Sequence, residues 1–179
     1  MACQAYHEDT DLDCGTVRIF NAYGPRERLD FDSSHVIPSL CRKAIEAEDG
    51  DSIELFGDGT QQRGFIYVTD LVEGMLAAMD DKTDGEPINL GNSEEVVTIN
   101  ELARIIIEVC GKDPEITHDT SKPTGTDRYA ADPERMEREL VWSPSVPLEE
   151  GIEQIYDWAE AELTDPASTE GVATHGGGD

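Results

Sequence analysis

The sequence predicts an α/β fold. Short apolar segments bounded by glycine and polar turns alternate with stretches whose apolar residues recur every three or four positions. One stretch carries complete helix punctuation, with Thr98 and Glu101 at its start and Gly111 at its end. The chain has 179 residues, of which 37% are hydrophobic and 6% aromatic, so it can bury a core but a lean one.

In chain order, residues 14–20 (CGTVRIF) read as a buried strand followed by the turn-rich NAYGPRER. Residues 35–47 carry Val36, Leu40, Ala44 and Ala47 at helical spacing, and Pro38 is tolerated there only in the first turn, where a missing N–H is harmless. Residues 53–56 (IELF) and 65–68 (FIYV) are expected strands on either side of a glycine-bounded loop, GDGTQQRG. Thr69 or Asp70 is expected to cap the next helix, with Leu71, Met75 and Met79 on its inward face. Residues 87–91 (PINLG) form a fourth strand, and the Thr98 helix presents Ile99, Leu102, Ile106 and Val109 as one stripe. EITH at 115–118 is a further strand, Asp132 and Pro133 open a short helix reaching Leu140, and Pro147 starts the last helix, with Ile152, Ile155, Tyr156 and Leu163 inward. Residues 164–179 are small, polar and glycine-ended, the composition of a disordered tail beyond a unit spanning 1–163.

Charge excludes several partners. Asp plus Glu number 40 against 13 Lys plus Arg, a net charge of −27. Such a surface repels phosphate backbones, so nucleic acid is not an expected partner. No apolar run approaches the roughly 18 residues a membrane helix needs, so no membrane partner is expected. The opening residues also lack the order of a secretory signal, and the expected location is cytoplasmic. Cys3, Cys14, Cys41 and Cys110 form no paired motif, and the four histidines have no metal-ligand spacing, so the expectation is free thiols and no metal. The acid is dispersed rather than blocked and only four residues are Lys, a pattern that resembles the solubility device of salt-adapted proteins.

Several short motifs carry candidate chemistry. Arg18-Ile-Phe-Asn21-Ala-Tyr23-Gly24-Pro25 puts an Asn at the carboxyl end of an apolar strand, where ligands sit in open α/β sheets. Its amide can donate to a phosphate or sugar oxygen, or it can be an ordinary turn Asn before a Gly-Pro corner. Phe56-Gly57-Asp58-Gly59-Thr60-Gln61-Gln62-Arg63 combines an aromatic able to cover a base with a guanidinium able to grip a diphosphate. The plainer reading is a turn with a surface Arg. Gly125-Thr126-Asp127-Arg128-Tyr129 offers a second Arg, which Asp127 could equally hold in a surface ion pair. Asp132 reads as a helix cap, His35 as a surface residue and His118 as a strand-end histidine. Glu94-Glu95 and Glu149-Glu150 read as solvated first-turn charges.

Taken in order, RIFNAYGPRER, HVIPSLCRKA, ELFGDGTQQRGFIYVTDLVEGM, PINLGNSEEVVTINELA and TGTDRYAADPERMERELVWSPSVPLEEGI resemble the NAD-dependent sugar-nucleotide epimerases and dehydratases, the extended short-chain dehydrogenases, over residues 5–163. The look is nearest to GDP-mannose 3,5-epimerases, UDP-glucuronate decarboxylases and UDP-glucose 4-epimerases. The resemblance implies the C-terminal part of a Rossmann-type fold with its smaller substrate-binding region. It also implies a UDP- or GDP-sugar ligand, NAD as cofactor and a homodimeric full-length form. By motif, Asn21 would meet the diphosphate, His35 and Val36 would line the nucleotide side, and Leu55 and Phe56 would pack on or beside the base. Arg63 and Arg128 would clamp the diphosphate, Asn92 would lie near the same pocket, and Phe20 near the nicotinamide. At Phe56 many members carry Tyr.

The same resemblance makes two departures visible. The family's glycine-rich loop, which lets backbone N–H groups approach the NAD pyrophosphate, does not occur in this sequence. None of Tyr6, Tyr23, Tyr67, Tyr129 and Tyr156 has a Lys four residues later, so the family's Tyr-x-x-x-Lys acid/base pair does not occur either. MACQAYHEDTDLDC resembles the tail of the helix that carries this pair. The expectation is therefore that the N-terminal dinucleotide-binding half is missing, that catalysis is not carried by this chain alone, and that NAD is bound mainly by that other half. The alternatives are a non-catalytic sugar-nucleotide-binding or interaction module and a truncated remnant.

The charge pattern yields a direct test by thermal unfolding at low salt and in molar KCl. Screening of self-repulsion is expected to raise the midpoint by roughly 5 °C, about 1.5 kcal/mol for a chain of this size. A midpoint independent of salt removes the salt-adapted reading.

Overall fold

The computed structural model describes residues 14–30, 34–48, 50–80 and 86–164, together with residues 5, 9 and 10. The elements are β1 (Thr16–Ile19), β2 (Ala22–Tyr23), α1 (Val36–Glu46), β3 (Ser52–Phe56), β4 (Gln62–Gly64), β5 (Ile66–Tyr67), α2 (Val68–Asp80), β6 (Pro87–Leu90), β7 (Val96–Thr98), α3 (Ile99–Cys110), β8 (Glu115–Asp119), β9 (Arg128–Tyr129), α4 (Glu134–Glu139) and α5 (Leu148–Thr164). The α/β class holds. Of the residues expected as a tail, 164–179, Thr164 instead ends α5, and 165–179 lie outside the described set, as do residues 1–4, 6–8 and 11–13 of the segment likened to a helix end.

The strands do not merge into one sheet among the described residues. β1 pairs with β6, β2 with β5 and β3 with β8, all parallel. β4 runs antiparallel to β7 and parallel to β9. Asn21 at φ 44° separates β1 from β2, and this left-handed residue lets two consecutive strands join different partners. β3 alternates exposed and buried residues, with Ile53 and Leu55 inward and Ile53 in register with Ile116.

Two apolar clusters follow. The larger lies where α1, α3 and α5 pack against β3, with Ile37, Leu40, Ile106, Ile152 and Ile155 at its centre. The smaller joins α2, α4, β5 and β6 through Ile66, Leu71, Ile88, Leu90 and Met136. Tyr23 Oη donates to Leu148 O at 3.3 Å and Tyr67 Oη to Gln154 Oε1 at 2.7 Å, tying β2 and β5 to α5. A Cβ on Gly151 would stand 2.1 Å from Tyr23 Oη, so α5 approaches this closely only with glycine there.

α1 is fixed at its far end by Lys112, whose ammonium donates to the carbonyls of Ala44, Ile45 and Ala47 at 3.1, 2.6 and 2.8 Å. Beside it, Cys41 is fully buried, and desolvation pushes its thiol up to about 12. Cys14, Cys41 and Cys110 are free thiols.

The capping box forms as expected. Glu101 N donates to Thr98 Oγ1 at 3.1 Å and Thr98 N donates to Glu101 Oε2 at 2.7 Å, while Gly111 closes α3 at φ 69°. These hydrogen bonds from Thr98 hold the Glu101 carboxyl below its ordinary value.

Several local expectations change, among them the burial of β1, whose Arg18 and Ile19 are exposed. FIYV is not one strand: only Ile66 and Tyr67 pair, and α2 already begins at Val68. Asp70 therefore lies inside the first turn rather than capping it. It is buried and accepts from Ser145 N at 3.0 Å, Ser145 Oγ at 3.2 Å and Val146 N at 2.9 Å, anchoring α2 to the approach to α5. On α2, Leu71 is inward, but Met75 and Met79 are 40% and 74% exposed. The helix instead buries Ala78 and sets Gly74 against the Trp142 ring, whose atoms come within 2.7 Å of a Cβ built there. Both stripes have helical spacing, so periodicity could not choose between them. At the short α4, Pro133 holds the cap position, although Asp132 Oδ1 accepts from Glu134 N at 3.1 Å as a helix-start acid should.

Thr98→Ala is expected to cost about 1 kcal/mol in chemical denaturation. The deficit should be full above the ordinary Glu range and shrink as pH falls through the lowered Glu101 value, because protonation removes the acceptor the cap relies on. Asp70→Ala should cost more, about 2 kcal/mol, since it removes a buried carboxylate that two partly buried backbone donors depend on.

Candidate functional site

A cleft opens beside the carboxyl end of β3, walled by the start of α1, by β4 and by residues 123–124. Its main cavity is about 540 Å³, lined by Ser34, Val36, Lys43, Leu55, Phe56, Arg63 and Thr124 among others. A second cavity of about 350 Å³, lined by Asn21, Tyr23, His35, Val36, Arg63 and Tyr129 among others, shares Val36 and Arg63 with it. These two side chains divide one groove into two compartments.

Phe56 stands at the mouth of the larger compartment, 53% exposed, while its neighbour Leu55 is buried in the floor. The turn after it is fixed by left-handed Gly57 and Gly59, by Asp58 Oδ1 accepting from Thr60 N at 3.0 Å, and by Asn100 Nδ2 donating to Asp58 O at 2.9 Å. Two ammonium groups converge on the Phe56 ring: Lys43 Nζ lies 5.6 Å and Lys122 Nζ 5.7 Å from its centroid. Lys43 also donates to Glu54 O at 2.7 Å, and partial burial lowers its pKa. Ser34 Oγ is buried against this compartment without a hydrogen-bond partner.

Arg63 lies on β4 rather than in the loop expected of it. Alternation along the strand turns its side chain into the groove. Its guanidinium donates to Gln62 O at 2.8 Å, Thr126 O at 2.9 Å and Thr124 O at 3.3 Å, so three of its five N–H donors are spent on backbone. Asn21 is likewise occupied, its amide donating to Gly64 O at 2.8 Å and Tyr129 O at 3.3 Å. Phe20 stacks on Tyr129 with centroids 5.0 Å apart, next to the smaller compartment.

The remaining expected residues lie at the rim or apart. The His35 ring contacts Glu27 Oε1 and is exposed, as read from the sequence. Arg128 donates from Nη1 to Gln62 Oε1 at 2.9 Å on the outer side of β4 and lines neither compartment. Asn92 organises a turn, accepting from Glu94 N at 3.0 Å and donating to Glu95 Oε2 at 3.1 Å, and also lines neither. Sequence reasoning missed Lys43 and Lys122. The signal was present: in a chain with four lysines, two of them meet at one aromatic ring.

The groove thus offers an exposed aromatic face for stacking, an apolar floor, and the cations Lys43 and Arg63, with Lys122 reaching the Phe56 ring from beyond its lining, in a strongly acidic chain. That chemistry suits a planar ring carrying anionic oxygens. Among the described residues no group of three or more His, Cys, Asp and Glu is placed to hold a metal ion, and no helix is long and apolar enough to cross a membrane.

The sequence profile of the NAD dependent epimerase/dehydratase family matches residues 1–91. A probable GDP-L-fucose synthase 1 of Oryza sativa subsp. japonica is 37% identical over 87% of this chain and 48% of its own length. UDP-glucuronic acid decarboxylase 1 of Xenopus tropicalis is 32% identical over 94% of this chain and 38% of its own length. Among solved structures, the UDP-glucuronic acid 4-epimerase from Bacillus cereus, in complex with UDP-glucuronic acid and NAD, superposes with a TM-score of 0.74 at 30% identity, over 89% of this chain and 49% of that one. The chain spans about half the length of the curated relatives it matches.

If the groove is one ligand site, Phe56→Ala should remove a stacking surface without unfolding the chain, because the ring is half-exposed. Its melting point should stay within about 2 °C of the parent while ligand affinity falls. A large loss of stability would assign Phe56 to the core instead.

Proposed function

Because this chain belongs to the NAD-dependent epimerase/dehydratase family, we propose that it is the part of such an enzyme that binds the nucleoside-diphosphate sugar. The placement of Phe56, Lys43 and Arg63 on one cavity, with Lys122 Nζ 5.7 Å from the same ring, carries this reading. Phe56 stacks the base, with Leu55 and Val36 beneath and beside it. Lys43 and the uncommitted donors of Arg63 face the diphosphate, and Ser34 Oγ gives a further polar contact. Asn21 and Arg128 hold the strands that carry these groups, and Phe20 with Tyr129 borders the compartment toward which the sugar extends. Binding through the nucleotide fixes the sugar for a reaction elsewhere in the enzyme.

NAD supplies hydride transfer in the family whose name includes it. The residues of this chain do not fit its pyrophosphate, since none of the described helices opens on a glycine-rich turn. Catalytic isomerisation or elimination is accordingly assigned to the enzyme completed by a dinucleotide-binding half, cytoplasmic and homodimeric. The missing glycine loop and Tyr-x-x-x-Lys favour a second reading, in which this chain binds the sugar nucleotide without transforming it.

Calorimetric titration with UDP and with GDP in molar salt tests the proposal. Saturable binding of at least one is expected, weakened tenfold or more by Arg63→Ala and by Lys43→Ala, about 1.4 kcal/mol each. Arg128→Ala should weaken it less. Absence of saturable binding, or binding indifferent to both Arg63 and Lys43, overturns the assignment.

A further inference from the structure

A third cavity, of about 320 Å³, lies between the turn at 57–60 and the segment 120–127. It shares Gln61, Pro123 and Thr124 with the main compartment, so the two adjoin across these residues. Their charges differ. The charged residues lining the main compartment are Lys43, Arg63 and Glu54, and those lining the annex are Asp58, Asp127 and Lys122. One end of the groove therefore carries an excess of cations and the other an excess of carboxylates.

A side chain in the shared wall marks the annex as a place for a ligand. Gln61 is 6% exposed and, with Asp70, is one of two buried polar side chains among the described residues. Asp70 is satisfied by three hydrogen bonds, whereas the Gln61 carboxamide bonds to no described residue. A buried amide without a partner is costly to keep unless something else meets it. Its direction is also fixed. A Cβ on Gly57, which lines the annex and not the main compartment, would stand 2.7 Å from Gln61 Nε2. Left-handed Gly57 thus clears the space that the amide faces.

The acceptors are equally prepared. Thr60 donates from N and Oγ1 to Asp58 Oδ1 at 3.0 and 2.7 Å. These bonds hold the carboxyl below its ordinary value and leave Oδ2 without a partner among the described residues. Asp127 is held by its backbone, its O accepting from Gln62 N at 2.7 Å, while its carboxylate bonds to no described residue. Lys122 connects the annex to the stacking face, since its Nζ lies 5.7 Å from the Phe56 centroid.

The annex therefore presents carboxylate acceptors beside amide and ammonium donors. Among the common bases only guanine carries the complementary edge. Its N1–H and 2-amino group donate side by side to a carboxylate, and its O6 accepts from an amide or ammonium. Uracil sets one N–H between two carbonyls. Adenine and cytosine set an acceptor nitrogen beside their amino group, so all three turn an acceptor toward a carboxylate. We propose that the annex reads the edge of a guanine ring stacked on Phe56, with Asp58 and Asp127 as acceptors and Gln61 as donor. The ligand of the groove is then a guanosine diphosphate derivative. This rests on the reading of the groove as a nucleoside-diphosphate site and narrows it.

The test is calorimetric titration of the full chain in molar salt with GDP, IDP and UDP. IDP differs from GDP only in lacking the 2-amino group. GDP should bind at least tenfold tighter than either of the others, because the site's carboxylates go unpaired without that group. The double variant Asp58→Asn with Asp127→Asn should bring GDP to the IDP affinity and leave UDP unchanged. Both residues are exposed and Asn keeps the acceptor for Thr60, so its melting point should stay within about 2 °C of the parent. If that variant fails to fold, the three ligands on the parent chain decide alone. GDP no tighter than IDP, UDP tighter than GDP, or a folded variant that weakens GDP and UDP alike overturns the inference while the nucleoside-diphosphate reading stands. If none of the three binds saturably, both fall.

Discussion

The cleft depends on one guanidinium. Arg63 leaves β4 and ends among the carbonyls of Gln62, Thr124 and Thr126, joining residues more than sixty positions apart. That junction adds to the backbone bond from Gln62 N to Asp127 O at 2.7 Å and to the pairing of β4 with the two-residue β9, and among the described residues it alone reaches the carbonyls of Thr124 and Thr126. Asn21 completes the joint by bridging Gly64 and Tyr129 from the neighbouring strand end. A cation satisfied by neutral carbonyls keeps its charge unopposed, so the residue that shapes the wall also gives it a positive field.

This dual role shows why residue types alone misjudge such sites. Asn21 and Arg63 were read either as ligand contacts or as plain turn and surface residues. The structure puts Asn21 in a left-handed turn between two strands and spends most of the donors of both residues on the fold. The converse holds for Lys43. It sits on the helix whose apolar spacing is its clearest feature, and only the packing of α1 across β3 brings its ammonium to Phe56.

The legible parts of the fold are those written in local chemistry. The capping box, the left-handed Gly111 and the alternation in β3 each act within a few residues, so spacing reveals them. β2, β4, β7 and β9 are two or three residues long and exist only because distant segments supply hydrogen-bond partners. α2 was legible as a helix but not in its orientation. Small residues at Gly74 and Ala78 win the inward side because they let Trp142 and the sheet come close.

The clamp that Lys112 places on the last carbonyls of α1 has a mechanical consequence. With its far end held by three hydrogen bonds and its middle pinned by the buried Cys41, α1 is a fixed jaw that brings Val36 from its first turn and Lys43 from its last turn into the cleft. The opposing jaw, residues 120–127, contains left-handed Gly125 and is tied at its ends to Asp119 and Gln62 and in between to Arg63. The two walls of the groove therefore differ in kind, one a clamped helix and the other an irregular segment shaped by a left-handed glycine.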